Sequence, residues 1–285
     1  DREHLESYGG FADLQQAFVD FANHVPFDGA VIACADDPRL AAVLPRVTRR
    51  VITYGVNAPD ADITAGEVVC GPMSVTATVR RRTPSAGGAS PMTLGVLPLR
   101  VPGVHNLQNA LAATAVGLEL GLSFDQVAAG LGDFRGAERR FEIRGEPGGV
   151  LVVDDYGHHP TEIAAVMAAA TPLGRRTIVA FQPHRFSRTA ALLDEFGPSL
   201  SGADHVVLTG IYAAGEEPLA GVTLDALGAS VRRALTVPVD LVPRLDDVVP
   251  ALLRIVRPGD LVITLGAGSI SSIADRLVAA LDGGV

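Results

Sequence analysis

Val150-Leu151-Val152-Val153-Asp154-Asp155-Tyr156-Gly157-His158-His159-Pro160 is an apolar run that ends in acidic, aromatic and imidazole side chains. Its first four residues read as a strand buried on both faces, and Pro160-Thr161-Glu162 reads as the first turn of a helix. Ile178-Val179-Ala180-Phe181 followed by Gln182-Pro183-His184-Arg185-Phe186-Ser187-Arg188 repeats the arrangement. Both polar stretches stand where a strand hands over to a helix. In an open α/β sheet that is the carboxyl edge, where ligands bind. Three of the seven histidines, two arginines, a tyrosine and two aspartates meet there. Such groups are costly to bury, and their gathering points to an anionic or zwitterionic ligand.

Working outward, the pattern after residue 150 alternates without a break. Strands are expected at 150–153, 177–181, 205–209, 238–242 and 260–265. Helices are expected at 161–171, 188–200, 223–235, 246–255 and 270–281. This is the layout of a complete doubly wound α/β domain. Ahead of it, residues 132–149 carry five glycines and little apolar periodicity. They read as a linker, with a domain boundary near Gly136. The earlier part predicts a helix over 11–23, a strand over 29–35 and a helix capped by Asp36-Asp37-Pro38. A strand at 50–54 follows, then β-rich stretches at 68–79 and 92–99 around a turn or loop at 83–90. Helices close this part at 106–120, with Asn106 as its cap, and at 124–132.

Composition narrows the function classes. The chain has 285 residues, 48% of them hydrophobic, which suits one large or two ordinary domains. No apolar run reaches the length of a membrane span, and the start of the chain lacks the basic-then-apolar order of a signal peptide. The formal net charge of −9 argues against general binding to nucleic acid or anionic membrane. Two cysteines, Cys34 and Cys70, fit a reducing compartment, so a cytoplasmic location is expected. All 23 basic residues are arginine. Schiff-base chemistry and a lysine-bearing phosphate loop are thereby excluded from the chain itself.

Several residues carry chemistry. His158 and His159 can shuttle protons or anchor a ligand near neutral pH, or serve the loop and helix cap. Arg185 and Arg188 are three apart at a helix start and share a face, where free amides would add to their pull on an anion. Arg139-Arg140 lies in the linker. Asn106 and Asn109 share one face of their helix, and a side-chain amide suits a purine edge. Leu265-Gly266-Ala267-Gly268-Ser269 is a glycine turn from strand to helix able to cradle a phosphate or carboxylate, and is only half of a dinucleotide fingerprint.

Taken together these motifs resemble the Mur ligases, the ATP-dependent amide-forming enzymes of peptidoglycan synthesis. The carriers are His4 in Glu3-His4-Leu5-Glu6-Ser7-Tyr8, Pro102-Gly103-Val104-His105-Asn106-Leu107-Gln108-Asn109-Ala110 and Arg139-Arg140-Phe141-Glu142. Asp154–Pro160 in the first stretch, Gln182 through Thr189, Tyr212-Ala213-Ala214-Gly215-Glu216 and Gly266-Ala267-Gly268 complete the set. The resemblance implies an α/β protein with a partial central ATPase domain, 1–136, followed by a complete Rossmann-like doubly wound C-terminal domain, 137–285. It implies ATP and Mg2+ as cofactors, with UDP-N-acetylmuramate and L-alanine as the substrates joined through an acyl phosphate. By residue, it makes His158, Arg185 and Arg188 catalytic, and Tyr156, His184 and Arg139 substrate-binding. Asn106, Asn109, Arg140 and Asp155 become ATP contacts, and His4 a magnesium ligand.

The sequence departs from the family pattern in places. The family's Gly-Lys-Thr phosphate loop, the glutamate ligand to magnesium and the UDP-binding domain are absent. The remaining N-terminal domains of the same enzyme are therefore expected as partners, and the chain by itself is expected to be inactive. Ser269 and Gly210 stand where acidic residues are common. Two readings compete: a family member that recycles muropeptides by attaching a tripeptide, and a module that binds without catalysis.

Overall fold

The computed structural model describes residues 8–85 and 88–283. The chain divides into two compact units, one holding residues up to Cys70 with Ser74–Phe134, the other holding Gly71–Met73 with everything from Arg135 onward.

In the first unit, helix α1 (Phe11–Asn23) leads to strand β1 (Val31–Cys34) and the short helix α2 (Pro38–Val43). Asp37 caps α2 by accepting the amides of Arg39 and Leu40, with Pro38 in the first turn. Strands β2 (Val51–Gly55), β3 (Ile63–Gly71), β4 (Ser74–Ser85) and β5 (Gly88–Leu99) follow, and the sheet order is β1-β2-β3-β4-β5. β1, β2 and β3 pair in parallel and β4 with β5 antiparallel. The expected loop at 83–90 is instead mostly strand, with Thr83 opposite Ser90 and Pro84 opposite Ala89. Turn-forming residues gave a loop signal, but the long pairing with β5 overrides it.

Helix α3 (Val104–Glu119) starts two residues before the expected position, at Gly103, whose φ of 90° only glycine adopts readily. Asn106 is therefore inside the first turn, and its Nδ2 donates to the Pro102 carbonyl at 2.7 Å. Leu107, Leu111 and Ala115 lie at helical spacing and pack with Val75, Val79, Leu97 and Leu99 of the sheet. Helix α4 (Phe124–Asp133) opens on a reciprocal Ser123–Gln126 capping box.

The second unit begins with β6 (Glu142–Gly145), which contradicts the linker reading. β6 pairs antiparallel with β7 (Leu151–Asp155), with a register shift between Ile143 and Gly145. The elements that follow are α5 (Pro160–Ala170), β8 (Thr177–Phe181), α6 (Phe186–Ala191), α7 (Phe196–Ser199), β9 (His205–Thr209), α8 (Leu224–Ala234), β10 (Val239–Val242), α9 (Val248–Leu253), β11 (Leu261–Leu265) and α10 (Ser271–Asp282). The sheet order is β10-β9-β8-β11-β7-β6, with every pair parallel except β6. The last strand thus enters between β7 and β8, separating their carboxyl ends.

Alternate residues of the fully buried strands serve opposite faces. Val153, Val179, Phe181, Leu208 and Ile263 pack with Ile163 and Met167 of α5, Phe196 of α7 and Val231 of α8. Val152, Ile178, Val207 and Val262 pack with Val248 and Leu252 of α9 and Ile273 and Leu277 of α10. The expected single helix at 188–200 is two short ones. Leu192, at φ −118° and ψ 16°, ends α6. Gly197 in α7 lies so close to α8 that a Cβ there would meet the Ala234 Cβ at 2.6 Å.

Candidate functional site

The carboxyl ends of β7, β8, β9 and β11 carry most of the residues singled out above. Register places Asp155, Leu265, Phe181 and Leu208 level across the four strands. The polar residues follow at once. Two buried aspartates end β7 and face different duties. Asp154 accepts from Arg139 Nε at 2.9 Å and from Thr264 Oγ1 at 2.5 Å. Asp155 accepts the amides of Phe141 and Gly157, each at 2.7 Å. Burial pushes the Asp155 carboxyl above its ordinary range against the pull of those amides and of the Arg140 charge. Asp155, expected at the ATP ribose, is thus also the anchor of the chain before β6.

Arg139 is not a solvated linker residue. Its Nη2 donates to the Gly266 carbonyl at 2.5 Å, and its guanidinium lies over the Tyr156 ring at 4.9 Å from the centroid. Its own carbonyl accepts the Tyr156 amide at 2.7 Å. Arg140 lies over the same ring at 5.6 Å, with its Nη1 3.4 Å from Glu162. Two guanidinium groups over one ring are cation–π contacts that also hold the ring in place.

From Tyr156 a row of four rings crosses three strand ends. Tyr156 meets His158 edge-on at 5.3 Å between centroids, His158 lies 5.6 Å from His184, and His184 stacks on Tyr212 at 5.6 Å with 18° between planes. His158 Nδ1 is 3.0 Å from the Tyr156 carbonyl and 3.4 Å from Glu162 Oε2. His159 belongs to the helix: its Nδ1 accepts the Thr161 amide at 3.3 Å in a capping box with Glu162.

Further along the row, Arg188 Nη1 is 3.0 Å from His184 Nδ1. Burial, then the charges of Arg188, His158 and Arg185, push the His184 imidazole down to about 4. Arg185 sits at φ 66° and ψ 141°, a strained conformation for an arginine. That conformation is held by a zipper between two loops. Tyr212 N donates to the Pro183 carbonyl and Arg185 N to the Tyr212 carbonyl, both at 2.8 Å.

Two residues outside the expected site set turn out to be central. Glu216 accepts the Ser187 amide at 2.9 Å and the Ser187 hydroxyl at 2.5 Å. The amides at the start of α6 were expected to be free for an anion; at Ser187 that position is taken by Glu216. Gln182 joins three strand ends: its Oε1 accepts the Ile270 amide at 2.9 Å and its Nε2 donates to the Gly210 carbonyl at 3.4 Å. Glu216 closes one of the stretches that carry the resemblance, but its partner is 29 residues away, so its clamping role is not written locally.

The glycine turn is dictated by this crowding. A Cβ on Gly268 would meet the Tyr212 ring at 2.6 Å, and one on Gly266 would meet the Gln182 carbonyl at 2.7 Å. Gly210 has the same explanation, since a Cβ there would meet the Pro243 carbonyl at 2.7 Å. Ser269 Oγ lies 3.4 Å from Gln182 Oε1.

The second unit therefore brings together Arg139, Arg140, Asp155, Tyr156, His158, His184, Arg185 and Arg188. Asn106 and Asn109 lie in the first unit on α3, Asn109 exposed and Asn106 partly buried. His4 lies outside the described residues. Among the described residues no group of three His, Cys, Asp or Glu side chains could hold a metal ion.

Residues 1–117 match the Mur ligase middle domain, and residues 139–268 match the Mur ligase, glutamate ligase domain. The UDP-N-acetylmuramate–L-alanine ligase of Solibacter usitatus is 44% identical over 98% of this chain and 57% of its own length. That of Acidobacterium capsulatum is 45% identical over 98% of the chain and 58% of its length. The chain belongs to the Mur ligase family. It spans somewhat over half the length of these curated relatives. A crystal structure of the UDP-N-acetylmuramate–alanine ligase of Thermotoga maritima superposes with a TM-score of 0.77 at 26% identity, covering 100% of this chain and 58% of that one. The unit matching the family's middle domain is α/β, and the second unit is doubly wound. No helix among its described residues is long and apolar enough to cross a membrane.

Proposed function

We propose that this chain forms the nucleotide-handling and amino-acid-handling part of an ATP-dependent ligase that joins L-alanine to UDP-N-acetylmuramate in the cytoplasm, a step of peptidoglycan synthesis. The observation that carries the reading is the ring row Tyr156–His158–His184–Tyr212, with Arg139 over Tyr156 and Arg188 against His184. A small zwitterionic amino acid needs a cation for its carboxylate and an acceptor for its amine, with limited space around its side chain. Arg185, with Arg188 behind it, supplies the cation, and His158 supplies the acceptor. Tyr156 and Tyr212 bound the row. A guanidinium group is suited to a carboxylate because its donors match both oxygens.

ATP, when bound, supplies the phosphoryl group that turns the lactyl carboxylate into an acyl phosphate. Arg140 is the residue assigned to its phosphates, its side chain half exposed, over the Tyr156 ring and 3.4 Å from Glu162. Asn109, exposed on α3, and Asn106 are assigned to the adenine, and Asp155 to the ribose. Arg139 acts on the substrate side by fixing the Tyr156 ring. Magnesium is assigned to His4.

The test is made on a full-length ligase carrying this sequence, with UDP-N-acetylmuramate, ATP and Mg2+. Mass spectrometry is expected to find the L-alanyl product and to find none when L-alanine is replaced by the tripeptide L-alanyl-γ-D-glutamyl-diaminopimelate. A tripeptide product, or no product from either, would overturn the reading.

A further inference from the structure

The two histidines of the ring row have their ring nitrogens committed in opposite senses. A guanidinium group has only donors, so Arg188 Nη1 at 3.0 Å requires a lone pair on His184 Nδ1. A neutral His184 then carries its proton on Nε2. The charged and titratable groups facing it are Arg185 just before α6, Arg188 in α6, His158 from the loop after β7, and Tyr212 and Glu216 from the loop after β9. The cations outweigh the one carboxylate, burial acts in the same direction, and the imidazole is driven down to about 4. Its only lone pair is engaged, so at neutral pH His184 can donate a hydrogen bond but cannot accept a proton.

His158 is the reverse case. Its Nδ1 is 3.0 Å from the Tyr156 carbonyl and 3.4 Å from Glu162 Oε2. Both are acceptors, so Nδ1 holds the proton and the lone pair of the neutral ring is on Nε2. Glu162 also fixes the backbone beneath the ring, accepting the amides of His158 at 3.1 Å and His159 at 3.2 Å. Burial pushes the Glu162 carboxyl up, but the His158 amide, the His158 charge, the His159 amide and Arg140 together hold it below its ordinary range. It is therefore ionised at neutral pH, with a negative charge beside an imidazole that would gain a positive one.

We propose a fixed division of labour: His158 takes the proton of the attacking amine, His184 donates a hydrogen bond to a substrate oxygen, and Glu162 and Arg188 are their positioning residues. This rests on the ligase reading above. In the step, the amine nitrogen forms the C–N bond to the acyl carbon, and the C–O bond to phosphate breaks with its electron pair leaving on phosphate. The proton lost by nitrogen goes to His158 Nε2 and then to water. Glu162 faces the imidazolium so formed, as the third group of a nucleophile–base arrangement faces its base.

Two experiments test this, and the first needs no ligation. In the 285-residue chain, 15N NMR of the imidazole nitrogens is expected to show His184 unprotonated at Nδ1 and His158 unprotonated at Nε2. The His184 midpoint should lie near 4 and rise in Arg188→Met toward the ordinary histidine value of about 6.5. The same tautomer in both rings, or a wild-type His184 midpoint in the ordinary range, would overturn the proposal and leave the ligase reading standing. In the full-length ligase, His184→Gln keeps an N–H donor but loses the ring contacts with His158 and Tyr212, and should lower kcat by less than His158→Gln does. His158→Gln cannot take a proton and should lower kcat by about 10²–10⁴-fold, the usual worth of a general base. Equal losses, or the reverse order, would overturn it as well.

Discussion

The two edges of the six-stranded sheet are built on opposite electrostatic plans. At the amino edge, charged groups are matched with opposite partners. Arg176 grips Asp260 through two bonds of 2.9 and 2.7 Å, and His205 Nε2 lies 2.8 Å from Asp240. At the carboxyl edge His184 is held against Arg188, and burial, then the charges around it, leave it uncharged at neutral pH. Backbone strain follows the same division. Of the five non-glycine residues with positive φ among those described, Arg139, Phe141, Arg185 and Ala214 lie at or beside the carboxyl edge. Strain and like-charge contacts cost stability, and they collect where surrounding structure holds them for a purpose. Clustering of charge does not by itself mark a site. The mark is like charge gathered beside strained backbone in a geometry that the rest of the fold enforces.

The comparison breaks most readily at the amino edge. Arg176→Met removes the partner of a carboxylate that is 1% exposed, and should lower unfolding free energy by about 3–5 kcal/mol in a urea titration of the chain. A loss under about 1 kcal/mol would show that the pair is not the anchor argued here. Arg185→Gly is a smaller and opposite test. Glycine accepts φ 66° without strain, so the variant should gain about 1 kcal/mol, the strain released being partly offset by glycine's extra freedom in the unfolded chain. Destabilisation would mean that the arginine side chain, not the backbone zipper, holds the loop.

The smallest effect separates two aspartates. Burial raises the Asp155 carboxyl, so the folded state takes up its proton more readily than the unfolded chain. As pH falls through that raised value, Asp155 shifts the balance toward the folded state. At Asp260 burial alone would raise the carboxyl, but Arg176, the Arg257 amide and the Arg257 charge bring it below the ordinary range. Its contribution is present above the unfolded value and is lost as pH falls through the folded one. Carbon-detected NMR titration should place Asp155 above and Asp260 below the ordinary aspartate value of about 3.9. The reverse order would remove the contrast between the edges.

Much of this was legible in the sequence. α1, β8 and β9 begin and end where periodicity and apolar runs place them, because each is bounded by turn residues or by polar groups at a sheet edge. β6 was not legible. Its four residues, Glu142–Gly145, are two charged side chains, one isoleucine and a glycine, too short a run to show a strand pattern, and they become a strand by pairing with β7. The strand–helix handovers exposed Tyr156, His158, His184, Arg185 and Arg188, since the α/β pattern alone sends those positions to one edge. What joins them was hidden. The Glu216–Ser187 clamp, the Gln182 bridge and the Arg139–Asp154 pair span 29, 88 and 15 residues, and the sequence records the partners but not the meeting.

The central claim is that this carboxyl edge holds the incoming amino acid, and one kinetic comparison tests it directly. In a full-length ligase carrying this sequence, Arg185→Ala should raise the KM for L-alanine by roughly 10- to 150-fold, the worth of a charge-assisted contact of about 1.5–3 kcal/mol. The KM for ATP should stay within about two-fold, with no loss of the circular dichroism signal. A rise confined to ATP, an equal rise in both constants, or an unchanged KM for L-alanine would contradict the account.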